Sequence, residues 1–111
     1  MLEADEYRIV TETVERVIGL PHDKVWSRNR NASLVFARSV TWLYLYEVLR
    51  YSSVAIGEHF GYDHSTVLHN VNCLREKSEY EHRIAQRVEL VYQEVSRSLA
   101  NYTATRRNEQ S

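Results

Sequence analysis

The first part of the chain alternates between a helical apolar pattern and short polar breaks. From Met1 to about Ile18, apolar residues recur at the spacing of one helix face, which predicts an amphipathic helix. Gly19 and Pro21 end this helix and begin another, because glycine favours helix C-termini and proline favours the first turn. A short helical turn is predicted from Asp23 to Trp26. The apolar stripe of the first helix comprises Val10, Val14, Val17 and Ile18.

The segment from Leu34 to Arg50 is apolar on nearly every face. Such a helix belongs in the centre of a domain, so we expect the other helices to pack around it. Large aromatic side chains dominate the burial energy of small cores, and we interpret those of this segment as core residues. Stacking on nucleic-acid bases is the alternative. The aromatic residues concerned are Trp42, Tyr44, Tyr46 and Tyr51.

A further amphipathic helix is predicted from about Glu79 to Ala100. We expect its apolar stripe to pack on the core. The spacing is also close to a short heptad run, so a partner helix or a homodimer seam is the alternative. Residues 101–111 are polar and are expected to fray. The stripe comprises Ile84, Val88, Val91, Val95 and Leu99.

Between these segments lies a pattern typical of a helix-turn-helix. A helix is predicted from about Ser53 to Phe60, Gly61 allows the positive φ of a sharp turn, and Asp63 can cap a second helix. The second helix has an apolar face formed by Val67, Leu68, Val71 and Leu74. Its other face carries Ser65, Thr66, His69, Asn70 and Cys73. Small hydrogen-bonding side chains of this kind contact base edges and phosphates.

Composition narrows the fold class. Only 3 Gly and 1 Pro occur, few for a β-rich fold with many turns, and 43% of the residues are hydrophobic. We therefore predict one all-α domain over residues 1–111, a compact bundle of about five to six helices with its core at about 8–100. Cys73 is the single cysteine, which excludes an internal disulfide. No apolar run approaches a membrane span and the acidic start is no signal peptide, so a cytoplasmic location is expected.

The distribution of charge is more informative than its sum. The formal net charge of −1 does not by itself indicate a nucleic-acid binder. From Lys24 to Tyr51, however, five cations stand against one anion, whereas five anions stand against two cations from Met1 to Leu20. The basic stretch includes the loop Ser27–Ser33, in which we expect Arg28 and Arg30 to contact phosphates or a minor groove. An ordinary solvated connector is the alternative.

Catalytic chemistry is not predicted. Asp63, His64 and Ser65 are the residue types of a hydrolase triad, but consecutive residues do not form the required relay. His59, His64 and His69 are five residues apart, which turns them away from a common helix face, and no metal-binding spacing is present. No phosphate-binding loop of the GxxxxGK[ST] type occurs, so we expect no metal, no cofactor and no nucleotide.

The sequence Asp63-His64-Ser65-Thr66-Val67-Leu68-His69, after Ile56-Gly57 and Phe60-Gly61, resembles the C-terminal DNA-binding domain of DnaA, the bacterial replication initiator. The resemblance covers roughly Val14 to Leu99. It implies an all-α, Trp-repressor-like domain that binds initiator boxes in double-stranded DNA. In that family the Asp-His-Thr segment enters the major groove and a basic-loop arginine enters the minor groove.

Carried over by position, the resemblance implies base contacts from the recognition helix. Asp63 would accept from an exocyclic amine, His64 would contact a base edge, and Ser65 would stand where the family has a base-contacting threonine. The expected base-reading set is Asp63, His64, Ser65 and His69. The expected phosphate or minor-groove set is Lys24, Arg28, Arg30, Arg38 and Thr66.

Three departures from the family indicate weaker binding or a changed target. Gly61-Tyr62 replaces the usual Gly-Gly-Arg, Phe36 stands where the family has its minor-groove arginine, and Ser65 lacks the methyl group of threonine. The hypothesis is a small, standalone DNA-binding protein of a bacterium, phage or mobile element, starting at its own Met1. It would act at the nucleoid as a regulator of replication or transcription or as a competitor for initiator sites. A protein-interaction module that kept the fold but lost DNA recognition is the alternative.

Overall fold

Six helices and no strand make up the part of the chain that the structure describes. The computed structural model describes residues 3–110, and the side chains of residues 4–106. The helices are α1 (Glu3–Ile18), α2 (His22–Val25), α3 (Ala32–Glu47), α4 (Ser53–Phe60), α5 (His64–Tyr80) and α6 (His82–Gln110). The predicted all-α fold is confirmed, while Met1 and Leu2 of the first predicted helix lie outside the described residues. None of the described helices has the length and apolar content of a membrane span.

Helix α3 lies at the centre of the molecule, as its apolar sequence predicts, and contacts all five other helices. Trp42 and Leu45 are 0% exposed and Tyr44 is 2% exposed, so the core interpretation of Trp42 and Tyr44 is confirmed. Tyr46 and Tyr51 are half-buried and pack against the same core. Because α3 is apolar on nearly every face, the five other helices must pack around it to shield it from solvent.

Helix α6 packs mainly on α1 and α5. Its predicted stripe faces the core of its own chain, with Val91 and Val95 almost fully buried. The helix is longer than predicted and continues to Gln110 through the segment expected to fray. No glycine or proline interrupts residues 82–110, so the sequence contains no local signal that would end it earlier. Helix α5 likewise contains no glycine or proline, and it continues to Tyr80, beyond Leu74, the last residue of its predicted apolar face.

A polar network at the end of α3 connects three helices. Glu47, the last residue of α3, accepts hydrogen bonds from Arg75 Nε of α5 at 3.0 Å and from Tyr92 Oη of α6 at 3.1 Å. Burial, and then the nearby Glu47 charge, raise the pKa of Tyr92, which keeps its hydroxyl group as a donor. This network fixes α5 and α6 relative to the central helix.

Helix α4 approaches the following turn so closely that only glycine fits at one position. Gly57 lies in the middle of α4 and is buried. A Cβ atom at this position would lie 2.5 Å from the carbonyl oxygen of Tyr62 and 3.4 Å from the amide nitrogen of His64. Gly57 therefore sets the distance between the two helices of the helix-turn-helix.

Gly57→Ala tests this close approach. Helix propensity alone favours alanine over glycine by about 1 kcal/mol. The added methyl group would displace the turn, so we expect a net loss of about 1–3 kcal/mol in the free energy of unfolding. Urea denaturation followed by circular dichroism measures this change, with Glu58→Ala, on the exposed side of α4, as a control expected to stay within about 0.5 kcal/mol. A midpoint for Gly57→Ala at or above the wild-type value would contradict the packing described.

Candidate nucleic-acid interface

The turn between α4 and α5 has the geometry that its sequence predicts. Gly61 adopts φ +75° and ψ 35°, the left-handed conformation that ends α4. Asp63 then caps α5, with Oδ1 accepting hydrogen bonds from the Ser65 amide at 2.8 Å and from the Ser65 hydroxyl at 2.6 Å. The predicted N-cap is confirmed, and it fixes the direction in which the first turn of α5 points.

The N-cap and the first two turns of α5 present a polar surface to solvent, which we call the reading face. Its members are all exposed and supply a carboxylate, two imidazoles and two hydroxyls. They are Asp63, His64, Ser65, Thr66 and His69. The apolar side of the helix is held by Val67, Val71 and Leu74, which are buried in the core. The structure therefore brings all four predicted base-reading residues and Thr66 onto one surface.

Asp63 is held as a carboxylate on this surface. Its pKa is lowered, first by the hydrogen bond from the Ser65 hydroxyl, then by the Ser65 amide and the neighbouring His64, whose Nδ1 lies 3.6 Å from Oδ1. These contacts all use Oδ1. Oδ2 makes none of them, and an ionised carboxylate is an acceptor only. Asp63 can therefore accept a hydrogen bond from an amine while it caps the helix.

His69 lies one turn after Ser65 and is also exposed. Its Nε2 lies 3.6 Å from the sulfur of Cys73, the residue one turn further along α5. Within the described part of the chain, no group of three or more His, Cys, Asp or Glu side chains is placed to hold a metal ion.

Arg38 holds the basic loop from inside the protein. The sequence predicts a phosphate contact for this side chain, but the residue is 5% exposed. Nη1 donates to the carbonyl oxygens of Val25 at 2.7 Å and Ser27 at 3.0 Å, and Nη2 donates to that of Asn29 at 2.7 Å. Arg38 is therefore not part of the proposed phosphate-contacting set. Its role in this structure is to position the loop.

The loop is also tied to the turn of the helix-turn-helix. Arg28 donates from Nη2 to the carbonyl oxygen of Gly61 at 3.1 Å, and its guanidinium carbon lies 4.6 Å from the centre of the Tyr62 ring. The Tyr62 hydroxyl in turn donates to the carbonyl oxygen of Ser27 at 3.2 Å. Arg28 and Tyr62 thus place the loop beside the reading face, and Arg28 keeps an exposed side chain there.

The asparagines of the loop build its backbone. Asn29 Oδ1 accepts from the Asn31 amide at 2.8 Å, and Asn31 Oδ1 accepts from the Ser33 amide at 3.0 Å, which caps α3. Lys24 and Arg30 are exposed and form no ion pair with another described residue. Both side chains are therefore accessible to an anionic partner.

Two features of this surface were missed from the sequence. The internal role of Arg38 was signalled by its position in an otherwise apolar helix, where a charged side chain needs partners. The role of Tyr62 in joining turn and loop had no local signal, because its partners lie more than thirty residues away in the sequence.

The short α4, sharp turn and polar first turns of α5 define a helix-turn-helix DNA-binding fold. The family described as bacterial DnaA protein helix-turn-helix matches residues 8–73, more than half of the chain. The chain therefore belongs to the bacterial DnaA helix-turn-helix family, and the resemblance seen in the sequence is confirmed. No curated protein matches the chain. The matched segment ends within α5 and does not include α6.

Arg38→Lys tests the internal role of Arg38. A lysine ammonium is a compact point charge that cannot reach three carbonyl oxygens at once. We expect the free energy of unfolding to fall by about 2–4 kcal/mol, since each hydrogen bond from a charged donor is worth about 1.5–3 kcal/mol. Urea denaturation measures the loss, and the exposed Arg30→Lys serves as the matched control with a change within about 0.5 kcal/mol. Equal stability of the two variants would refute the role.

Proposed function

We propose that the protein binds double-stranded DNA in a sequence-dependent manner, with α5 in the major groove and the basic loop on the adjoining backbone or minor groove. The observation that carries this proposal is the reading face itself. Five exposed hydrogen-bonding side chains lie at the N-cap and in the first two turns of α5, and the loop that carries Arg28 and Arg30 is bonded to the turn beside them. Recognition helices of helix-turn-helix proteins use their N-terminal residues in this way.

Each member of the reading face has a chemically defined role in the proposal. Asp63 accepts a hydrogen bond from the exocyclic amine of cytosine or adenine through Oδ2. His64 and His69 contact base edges, and the Ser65 hydroxyl contacts a base while it donates to Asp63. Thr66 binds a phosphate, as do Lys24 and Arg30.

We further propose that the protein regulates replication or transcription by occupying initiator-box-like sites. The family membership supports this target class, and the departures at Phe36, Tyr62 and Ser65 favour weaker binding or a changed sequence preference. Removing a base-specific hydrogen bond costs about 1–3 kcal/mol, and removing a phosphate contact reduces the salt dependence of binding. A changed preference is therefore compatible with an intact reading face.

His64→Ala tests the reading face. We expect wild-type protein to prefer a labelled duplex carrying an initiator box over a scrambled duplex, as measured by fluorescence anisotropy at two salt concentrations. The substitution should reduce that preference by about 1–3 kcal/mol, roughly 5-fold to 150-fold, because base contacts carry discrimination. His82→Ala, at the exposed start of α6, is the matched control and should bind as the wild type does.

Three outcomes of this measurement are informative. Equal and salt-sensitive binding of wild-type protein to both duplexes would mean a DNA-binding protein with a different target sequence. An unchanged preference in His64→Ala would refute the assigned face. Absence of binding to either duplex at low salt would refute DNA binding and favour a protein-interaction module with this fold.

Ser65→Thr should strengthen binding to the initiator box. The substitution restores the methyl group that the family places against a thymine methyl, and burying one such group is worth about 0.8 kcal/mol, or roughly 4-fold in affinity. The hydroxyl that bonds Asp63 is retained. Titration of the box duplex with the variant measures the gain in affinity. Thr66→Ser, which removes a methyl group from the neighbouring residue, is the reciprocal substitution for comparison. Weaker box binding by Ser65→Thr would mean that Ser65 does not face a thymine methyl.

A further inference from the structure

A basic groove lies next to the reading face and was not predicted from the sequence. It is a cavity of about 350 Å³ between the start of α3, the middle of α5 and the first turns of α6. Arg30 from the loop, Lys77 from α5 and Arg87 from α6 line it. Of the residues that the structure describes, no aspartate or glutamate lines this groove. Three separate elements thus bring cations to one site in a protein whose net charge is −1.

The guanidinium of Arg87 is held in place by an aromatic ring. Its central carbon lies 4.1 Å from the centre of the Phe36 ring, and Phe36 itself is 9% exposed. Cation–π contact of this kind orders an arginine side chain without neutralising its charge. A preorganised cation loses less side-chain entropy when an anion binds.

The positive end of a helix opens onto the same groove. Ala32 and Ser33, the first residues of the 16-residue α3, contribute to its lining. The aligned peptide dipoles of such a helix favour an anion at this end. This contribution adds to that of the three cationic side chains.

The groove continues from the reading face along α5. Thr66, Asn70, Cys73 and Lys77 follow one another at spacings of four, three and four residues, which places them on one stripe of the helix. Asn70, Cys73 and Lys77 line the groove, while Thr66 belongs to the reading face. A duplex whose major groove receives the first turns of α5 has a strand backbone alongside the helix, where this groove lies.

We propose that the groove holds the sugar–phosphate backbone of a DNA strand next to the major groove, with Lys77 and Arg87 as phosphate contacts that lie outside the helix-turn-helix. The inference rests on the proposed DNA-binding function and extends it to α6, which the family match does not include. Arg30 joins these contacts from the loop side. Contacts to phosphate fix the register of the protein on the duplex without adding sequence discrimination.

The test compares the salt dependence of duplex binding in Arg87→Gln, Lys77→Gln and the double variant. Removing one phosphate contact should reduce the slope of log affinity against log salt by about 0.9, and the double variant should reduce it by about 1.8. The preference for one duplex sequence over another should remain unchanged. Arg97→Gln is the matched control, because it removes one positive charge from the same helix ten residues away from Arg87.

Two further measurements separate a binding effect from a folding effect. Urea denaturation of Arg87→Gln shows whether loss of the Phe36 contact loosens α6, and Arg87→Lys keeps a cation at the groove and should retain a slope close to the wild-type value. Unchanged slopes in Arg87→Gln and Lys77→Gln, with wild-type protein binding DNA, would overturn the groove assignment alone. Failure of the wild-type protein to bind any duplex would overturn the DNA-binding function on which it rests.

Discussion

The buried side chain of Arg38, a residue of α3, donates hydrogen bonds to three backbone carbonyl oxygens of the segment that precedes this helix. Residues 27–33 contain no large apolar side chain, so the loop cannot be fixed by packing. Its conformation depends instead on hydrogen bonds between side chains and the loop backbone. Burying a cation is costly unless its donors find partners, and here the backbone supplies them. The position of Arg30 follows from this interaction, since it lies between the loop residues that Arg38 and Asn31 hold.

The second constraint joins this loop to the helix-turn-helix. Arg28 and Tyr62 contact each other across the two segments, and each donates to a backbone carbonyl of the other segment. Gly57 sets the approach of α4 to the turn from the opposite side. Loop, turn and first helical residues of α5 therefore form one preorganised unit. A surface that is ordered before binding loses less conformational entropy when DNA binds. More of the free energy of each contact then contributes to affinity.

The sequence predicted those parts of the molecule that depend on local signals. Gly61 and Asp63 located the turn and the start of α5, and the all-round apolar pattern of α3 located the core, because conformation and burial follow directly from these residue types. The motif also predicted the members of the reading face. The three backbone partners of Arg38 could not be predicted, because the sequence shows its charge but not the carbonyl groups around it. The basic groove was missed because residues from position 30 to position 87 meet there only in the folded chain.

A net charge of −1 is compatible with DNA binding because screening makes the local arrangement of charges decisive. At physiological salt, exposed charges separated by more than about 8 Å are largely screened from one another. The described acidic residues of α1 count in the net charge, yet none of them lines the groove or belongs to the reading face. Position 36, where the family has an arginine, carries a phenylalanine whose ring supports Arg87 from another helix. In the proposed complex a cation therefore remains next to position 36, supplied by Arg87 of α6 instead of by a residue of α3. On this proposal, the replacement of arginine by phenylalanine changes which phosphates or bases are contacted and still allows DNA to bind.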